Sequence, residues 1–525
     1  MRILQLQWRR CKDAKLLILL GLCLLACVLA FLVEGNVGFS LWDEGYLWYG
    51  VQRTLLGEVP LRDFLSYDPG RYYWAASLLW IFHDHGIIGV RAATAAFMTI
   101  GSLAAVAFVW NNLDEAPPVR FLLGALTVLL CLLWAMPWWK QYDEATSIFL
   151  TLSLARVLAL PVRRRFFYHG IVVGLAAILG RNHGIYGLMA CLLVAPMLMF
   201  VVDRSQWVQC VLAWLGGIVL GFSPILVGIL VDRHFALMFW DSIRFLLFEY
   251  RGTNLPLPVP WPWTVDGSQP FTPGLARSWL IGGVYVAMPL LCLLGLGLSC
   301  RSIWRDRQFT HPAFTACIAT AIFYLNVAYS RADLLHLAQS VYPLMLGLML
   351  WPYIGKSGVI IRGSCAGLFT AISLWIALPM HPLYLMHSQP GWRQIEVKGE
   401  RLWMDASFAT SVTDIEQLAS RYIQPGGTLL SIPVWPGAYA LLGLKSPVYE
   451  IYALFPRSDV FQNREIARLQ TTRPSLVLFS DIAVDGRDDL RYAKTHSRIL
   501  DYIAGHYRQI SSPPAEPQLK VYVRQ

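Results

Sequence analysis

The chain has 525 residues, 56% of them hydrophobic and only 14% charged, with a mean hydropathy of +0.48. That much apolar surface excludes an ordinary water-soluble fold and makes lipid the natural solvent. The formal charge of +10 sits in short basic clusters between apolar runs rather than on one continuous face, which argues for membrane orientation and against a nucleic-acid partner.

The N-terminus, MRILQLQWRRCKDAK, is basic and leads directly into LLILLGLCLLACVLAFLV. Leu24, Leu25, Ala26 and Cys27 echo a lipoprotein cleavage site, but the apolar run continues past Cys27, so the segment reads as an uncleaved first membrane helix. Runs long enough to cross about 30 Å of hydrocarbon recur near 16–34, 87–110, 119–137, 144–160, 170–189, 190–202, 208–231, 279–299, 312–328, 334–354 and 360–379. They predict about 11 crossings. With a cytoplasmic N-terminus, the loops bearing Arg163, Arg164 and Arg165, then Arg301, Arg305 and Arg307, then Lys356 and Arg362 all fall inside, as the positive-inside rule asks. Everything after about residue 380 then lies outside, which in a bacterial inner membrane is the periplasm.

The first outer loop, 35–86, holds two helical patterns. In LWDEGYLWYGVQRTLLG, Leu47, Val51 and Leu55 recur every four residues amid Trp42, Tyr46, Trp48 and Tyr49, which predicts an interfacial amphipathic helix. YYWAASLLWIF, residues 72–82, is too short to span and predicts a helix at the membrane surface. A second outer loop, 232–278, predicts a surface helix followed by a proline-rich arm, LPLPVPWPW. From 385 onward the composition is that of a soluble domain. TLLSIPV, SLVLFS and LKVYVRQ read as strands, and TDIEQLASRYI and REIARLQTT as helices, so a small α/β domain is expected. The predicted organisation is a polytopic α-helical membrane domain over 1–384 with a long outer loop at 35–86, and a periplasmic α/β domain over 385–525. All ten cysteines precede that domain and none forms a CxxC pair, so neither a disulfide scaffold nor a zinc ribbon is supported.

Chemistry-bearing residues collect on the predicted outer side. The acids are Asp43 and Glu44 after the first helix, Asp68 in SYDPGRYYW, and Asp143 with Glu144 in WWKQYDEA. Carboxylates beside apolar sequence at a membrane surface are costly to desolvate, so they tend to be paired or functional; each also reads as an ordinary loop charge. The bases are Arg71, Lys140, Arg181 with His183 in GRNHG, and Arg331 with Asp333 and His336 in SRADLLHL. Together they suit a phosphate-bearing substrate, and singly they suit snorkelling anchors. His83, Asp84 and His85 read better as a polar turn closing a short helix than as a metal site. GRNHGIYG follows no strand, which disfavours a nucleotide loop.

In WDEGY after the first helix, VPLRDFLSYDPGRYYW after it, and the acidic YDE after the third helix, the chain resembles the C-type (GT-C) membrane glycosyltransferase superfamily. It is most similar to the bacterial relatives of protein O-mannosyltransferases and lipid A aminoarabinose transferases. The resemblance implies an inverting transfer of a sugar from a polyprenyl-phosphate carrier to a glycan, lipid or protein acceptor at the outer membrane surface. By motif it makes Asp43 the general base and Asp143 a group that orients the acceptor or the base. Glu44 either holds the loop or acts directly. Arg71, Arg181 and Arg331 face the departing phosphate; Arg71 stands where relatives carry a lysine near the loop proline. Asp68, Lys140, His183 and His336 complete the substrate-binding set. The lipid-linked sugar is itself the donor, membrane lipid is a partner, no cofactor is assigned, and a divalent cation is left open. Competing readings are a transporter or lipid flippase, disfavoured because no internal repeat is present, and an O-antigen polymerase or ligase, disfavoured because the Asp-Glu signal lies in the first outer loop rather than a late one.

Overall fold

The computed structural model describes residues 14–252, 254–268, 270–351, 358–514, 516 and 518–525. The basic N-terminal stretch with Cys11, and Lys356, lie outside the described residues. In chain order the helices are α1 (Ala14–Glu34), α2 (Asp43–Leu55), α3 (Gly70–Phe82), α4 (Ile87–Asn111), α5 (Pro117–Leu133), α6 (Gln141–Ala159), α7 (Arg163–Leu179) and α8 (Arg181–Met199). There follow α9 (Arg204–Val231), α10 (Arg233–Arg244), α11 (Pro273–Asp306), α12 (Pro312–Ser330), α13 (Leu334–Met349), α14 (Gly358–Ala377) and the short α15 (Pro382–Ser388). The C-terminal part adds β1 (Arg393–Val397), β2 (Glu400–Met404), α16 (Ala406–Tyr422), β3 (Leu429–Ile432), α17 (Gly437–Leu442), α18 (Asp459–Thr472), β4 (Leu476–Ser480), α19 (Tyr492–Thr495), α20 (Ser497–His506), β5 (Tyr507–Ile510) and β6 (Leu519–Arg524).

Each of the eleven apolar runs is occupied by a helix: α1, α4 to α9 and α11 to α14. Among the described residues, seven helices (α1, α4, α8, α9, α11, α12 and α14) are long and apolar enough to cross a membrane, and α5 with α6, bent by 114° at a short break, make an eighth if counted as one span. α7 has 17 residues and opens on three arginines, and α13 has 16. The chain is thus a multi-pass helical membrane protein with a small C-terminal sheet region. One boundary differs from expectation. The runs drawn at 170–189 and 190–202 are divided at Gly180, whose extended backbone (φ −171°, ψ 120°) separates α7 from α8.

The chain forms two compact units. The first takes the chain up to Val33, Thr94–Val227 and Pro256–Tyr384. Its core is α12, buried almost all round through small residues such as Ala316, Cys317, Ala319, Ala321 and Ala328. Lipid gives helices no hydrophobic push toward one another, so close van der Waals packing through small side chains takes its place. The parallel pair α7 and α9 carries this furthest. Gly170 and Gly174 face Gly217 and Gly221, and a β-carbon at Gly217 would lie 3.1 Å from the Gly170 α-carbon.

The second unit takes Glu34–Ala93, Gly228–Leu255 and Leu385–Gln525. Its central helix is α2, in which every residue from Glu44 to Gln52 is buried. Tyr46 packs edge-on against Tyr67 and beside Tyr452, and Tyr49 packs against Phe64 and Tyr439. The Tyr49 hydroxyl accepts from the Ser446 amide at 3.0 Å. The amphipathic pattern is therefore not an interfacial one: the aromatic residues that a headgroup layer would take up pack instead against protein, Phe64 and Tyr67 on one hand and Tyr439 and Tyr452 on the other. α3 does expose an apolar face, with Trp80 71%, Ile81 57% and Phe82 75% accessible, a surface suited to lipid.

β1 and β2 form an antiparallel hairpin, turned by Lys398 and Gly399 at positive φ. Glu400 at the start of β2 accepts from the Ile87 amide at 2.7 Å and the Ile88 amide at 3.2 Å, capping the first turn of α4. The larger sheet runs β3-β4-β6-β5, with β3 and β4 parallel and the other pairs antiparallel. Between β3 and β4, buried Glu450 accepts from Arg457 Nε at 2.6 Å and pairs with His496 Nε2 at 2.9 Å. The Arg457 guanidinium lies 3.7 Å from the ring centre of Phe245, fastening the segment after α10 to this part of the unit.

Candidate active site

In the second unit, the loop from Gly35 to Trp42 delivers two consecutive carboxylates into the first turn of α2, where the helix N-terminus favours negative charge. They end in different environments. Glu44 is 2% exposed, and its two oxygens accept from Arg91 Nε at 2.6 Å and Arg91 Nη2 at 2.9 Å. The same guanidinium donates to the carbonyls of Gly35 at 2.9 Å and Gly38 at 2.6 Å, and Glu44 also accepts from the Ser40 amide at 3.2 Å. Glu44 and Arg91 thus lace the loop to α4. Asp43, one residue earlier, is only half-buried. Arg91 was not singled out in the sequence, although a lone arginine within an apolar helix is itself a signal of an internal partner.

Asp68 is half-buried just ahead of Pro69, the N-terminal cap of α3. Arg71, in the first turn of that helix, is 4% exposed, with its guanidinium 4.7 Å from the ring centre of Tyr67.

In the first unit, a three-residue 3₁₀ turn ending at Lys140 opens α6, whose first turn carries Asp143 and Glu144. Asp143 Oδ1 lies 2.7 Å from Nε2 of His183 in the first turn of α8, and His183 Nδ1 lies 2.8 Å from the Tyr324 hydroxyl on α12. The imidazole also stacks on the Tyr324 ring, and all three residues are buried. Arg181 begins α8, and Glu144 is wholly buried. Beyond the C-terminal end of α12, Asp333 organises the loop into α13: it accepts from Arg331 Nε at 2.9 Å, from the His336 amide at 2.9 Å, and pairs with His336 Nδ1 at 2.8 Å.

The structure therefore brings together Asp143 with His183, and Arg331 with His336 through Asp333. Asp43, Glu44, Arg71, Asp143, Arg181, His183 and His336 each stand in the first turn of a helix, a placement more rigid than a loop provides. Among the described residues, no three His, Cys, Asp or Glu side chains cluster to hold a metal ion. His83 ends α3 as a left-handed cap, and the carbonyl of His85 accepts from Trp48 Nε1 and Gln52 Nε2, both at 3.1 Å.

The chain shares its fold with ArnT from Cupriavidus metallidurans. Among solved structures, ArnT from Cupriavidus metallidurans bound to undecaprenyl phosphate matches with a TM-score of 0.54 at 12% identity, over 96% of this chain and 97% of that one. Its apo state gives 0.53 at the same identity and coverage. The apo oligosaccharyltransferase of Archaeoglobus fulgidus is more distant, with a TM-score of 0.45 at 14% identity over 98% of this chain and 75% of that one. No protein-family model and no curated relative matches the sequence.

Proposed function

We propose that the chain is an inverting glycosyltransferase that moves a sugar from a polyprenyl-phosphate carrier to a cell-envelope acceptor on the periplasmic side of the membrane. The observation that carries this reading is the separation of the two carboxylates at the start of α2, on a fold shared end to end with a protein solved with undecaprenyl phosphate. Glu44 is buried in an ion pair with Arg91, whereas Asp43 is half-buried.

In this reading Asp43 takes the acceptor hydroxyl proton as that oxygen attacks the anomeric carbon from the face opposite the phosphate. The bond from the anomeric carbon to the phosphate oxygen breaks, and the carrier phosphate leaves with the bonding pair. Its growing charge calls for cations rather than an acid, the role assigned to Arg71, Arg181 and Arg331, with Lys140 and His336 as further substrate contacts. Catalysis belongs to 1–384, with its outer loop 35–86, and 385–525 to the periplasm.

The test is transfer of labelled sugar from polyprenyl-phosphate donors in membranes containing wild type or Asp43→Asn at matched expression. Loss of a general base lowers kcat by about 10²–10⁴-fold while donor binding persists. Undiminished transfer by Asp43→Asn would remove the base assignment. Absence of transfer by wild type, together with carrier-lipid translocation in vesicles, would move the protein to the flippase class.

A further inference from the structure

A crevice of about 570 Å³ lies between α7 and α9, lined by Arg163, Arg164 and Phe167 from one helix and Leu212, Ala213 and Gly216 from the other. Its origin is the packing of the two helices. They touch backbone to backbone at Gly170 and Gly217, and again at Gly174 and Gly221, and the crevice lies beyond these contacts, on the side of the N-terminal end of α7. Neighbouring glycines have opposite surroundings: a β-carbon at Gly217 would meet the Phe167 carbonyl, whereas one at Gly216 would have nothing within 4 Å. Gly216 therefore leaves the crevice open without being needed for helix contact.

The walls are apolar and the mouth is cationic. Arg163 and Arg164 are exposed, and along the outer side of α9 Val208 is 63% and Leu212 62% accessible, a face built for lipid. Residues 145–202 contain five arginines and no Asp or Glu. The next acid, Asp203, accepts from the Ser205 amide at 3.3 Å. Two of these arginines lean on neutral oxygens: Arg164 on the Tyr168 hydroxyl at 3.1 Å, and Arg165 on the Arg156 carbonyl at 2.6 Å. An occupant must bring negative charge to the mouth and a hydrocarbon chain to the walls.

We propose that the crevice binds an anionic phospholipid, with its phosphate on Arg163 and Arg164 and an acyl chain along Phe167, Leu212, Ala213 and Gly216. A free phosphate would leave the apolar walls wet, and a zwitterionic headgroup brings no net charge to offset two guanidinium groups. The site draws on none of the residues assigned to sugar transfer.

The experiment is native mass spectrometry of the full-length detergent-solubilised protein titrated with dioleoylphosphatidylglycerol or dioleoylphosphatidylcholine. Three proteins are compared: wild type, Gly216→Leu and the double variant Arg163→Ser/Arg164→Ser, with thermal unfolding confirming that each is folded. Wild type is expected to retain one phosphatidylglycerol at least tenfold more tightly than phosphatidylcholine. Both variants are expected to lose that preference, and millimolar inorganic phosphate to leave it unchanged. Equal retention of the two lipids by wild type, undiminished preference in both folded variants, or displacement of the lipid by inorganic phosphate would each overturn the proposal.

Discussion

His183 donates or accepts at both ring nitrogens inside the helix bundle, with Asp143 at 2.7 Å on Nε2 and the Tyr324 hydroxyl at 2.8 Å on Nδ1. An ionised carboxylate only accepts, so a neutral imidazole carries its proton on Nε2 and takes the tyrosine proton's hydrogen bond on Nδ1. The arrangement is the one expected of a residue that fixes a carboxylate's direction. Within the proposed transfer reaction, His183 is thus a positioning residue for Asp143. His183→Ala is expected to lower kcat by about 10²-fold with little change in the donor KM, as a misplacement of about 1 Å at a reacting group does. His183→Gln, which retains an N–H donor, should recover part of the loss. A rise in KM with unchanged kcat would instead mark His183 as a ground-state substrate contact.

The two carboxylates at the start of α2 should separate stability from catalysis. Removing one member of a buried ion pair leaves the other charge uncompensated, so Glu44→Gln is expected to cost about 3–5 kcal/mol. Asp43→Asn, at a half-buried position, should stay within about 0.5 kcal/mol of wild type. Thermal unfolding in detergent reads both. A Glu44→Gln protein as stable as wild type would show that the Arg91 pair does not hold the loop.

How much of this was legible in the sequence follows from how local each signal is. Apolar run length placed a helix on each of the eleven runs, because spanning hydrocarbon is a property of one segment. The break at Gly180 was missed although the polar Arg181, Asn182 and His183 follow it directly and interrupt the apolar run. The β1–β2 hairpin was missed although Lys398-Gly399 sits between alternating residues, the pattern of a tight turn with two positive φ angles. Periodicity found α2 but not its surroundings: Tyr439, Ser446 and Tyr452 meet it from some 390 residues away in sequence. The same limit applies to the site. Asp143 and His183 were each visible as candidates, but their partnership, and the third member Tyr324, depends on three helices coming together.

Glu450 gives the second unit a dependence on acid. Burial alone would push its carboxyl up, but Arg457 and His496 outweigh that and hold it below its ordinary value of 4.5. A carboxyl depressed by folding contributes its full stabilisation above the unfolded-state value, and the contribution disappears as pH falls through the folded-state value. Stability should therefore decline as pH drops below about 4.5, and Glu450→Gln should be less stable at neutral pH but flatter over the acid limb. Neighbouring Glu465, held up by burial despite Arg468, acts in the opposite sense, so the comparison between wild type and Glu450→Gln is the informative one. Parallel acid limbs for the two proteins would show that Glu450 does not set the response.

The adjacent glycines of α9 make opposite predictions from one structural fact. At Gly217 a new β-carbon meets the Phe167 carbonyl and lies 3.0 Å from the Ile171 amide, both backbone groups of α7 that no side-chain rotation can clear. The helices must separate, and the lost contact is not replaced by a hydrophobic gain, since lipid is as apolar as the side chains it would replace. Gly217→Ala is therefore expected to destabilise by about 1–3 kcal/mol, the usual cost of overpacking. At Gly216 the β-carbon enters open space, so alanine only restricts the unfolded chain and improves helix propensity. Gly216→Ala is expected to be neutral or to stabilise by up to about 1 kcal/mol. Thermal unfolding of the two single variants separates the cases, and equal effects at 216 and 217 would mean that α7 and α9 do not meet through the 170/217 and 174/221 glycine pairs.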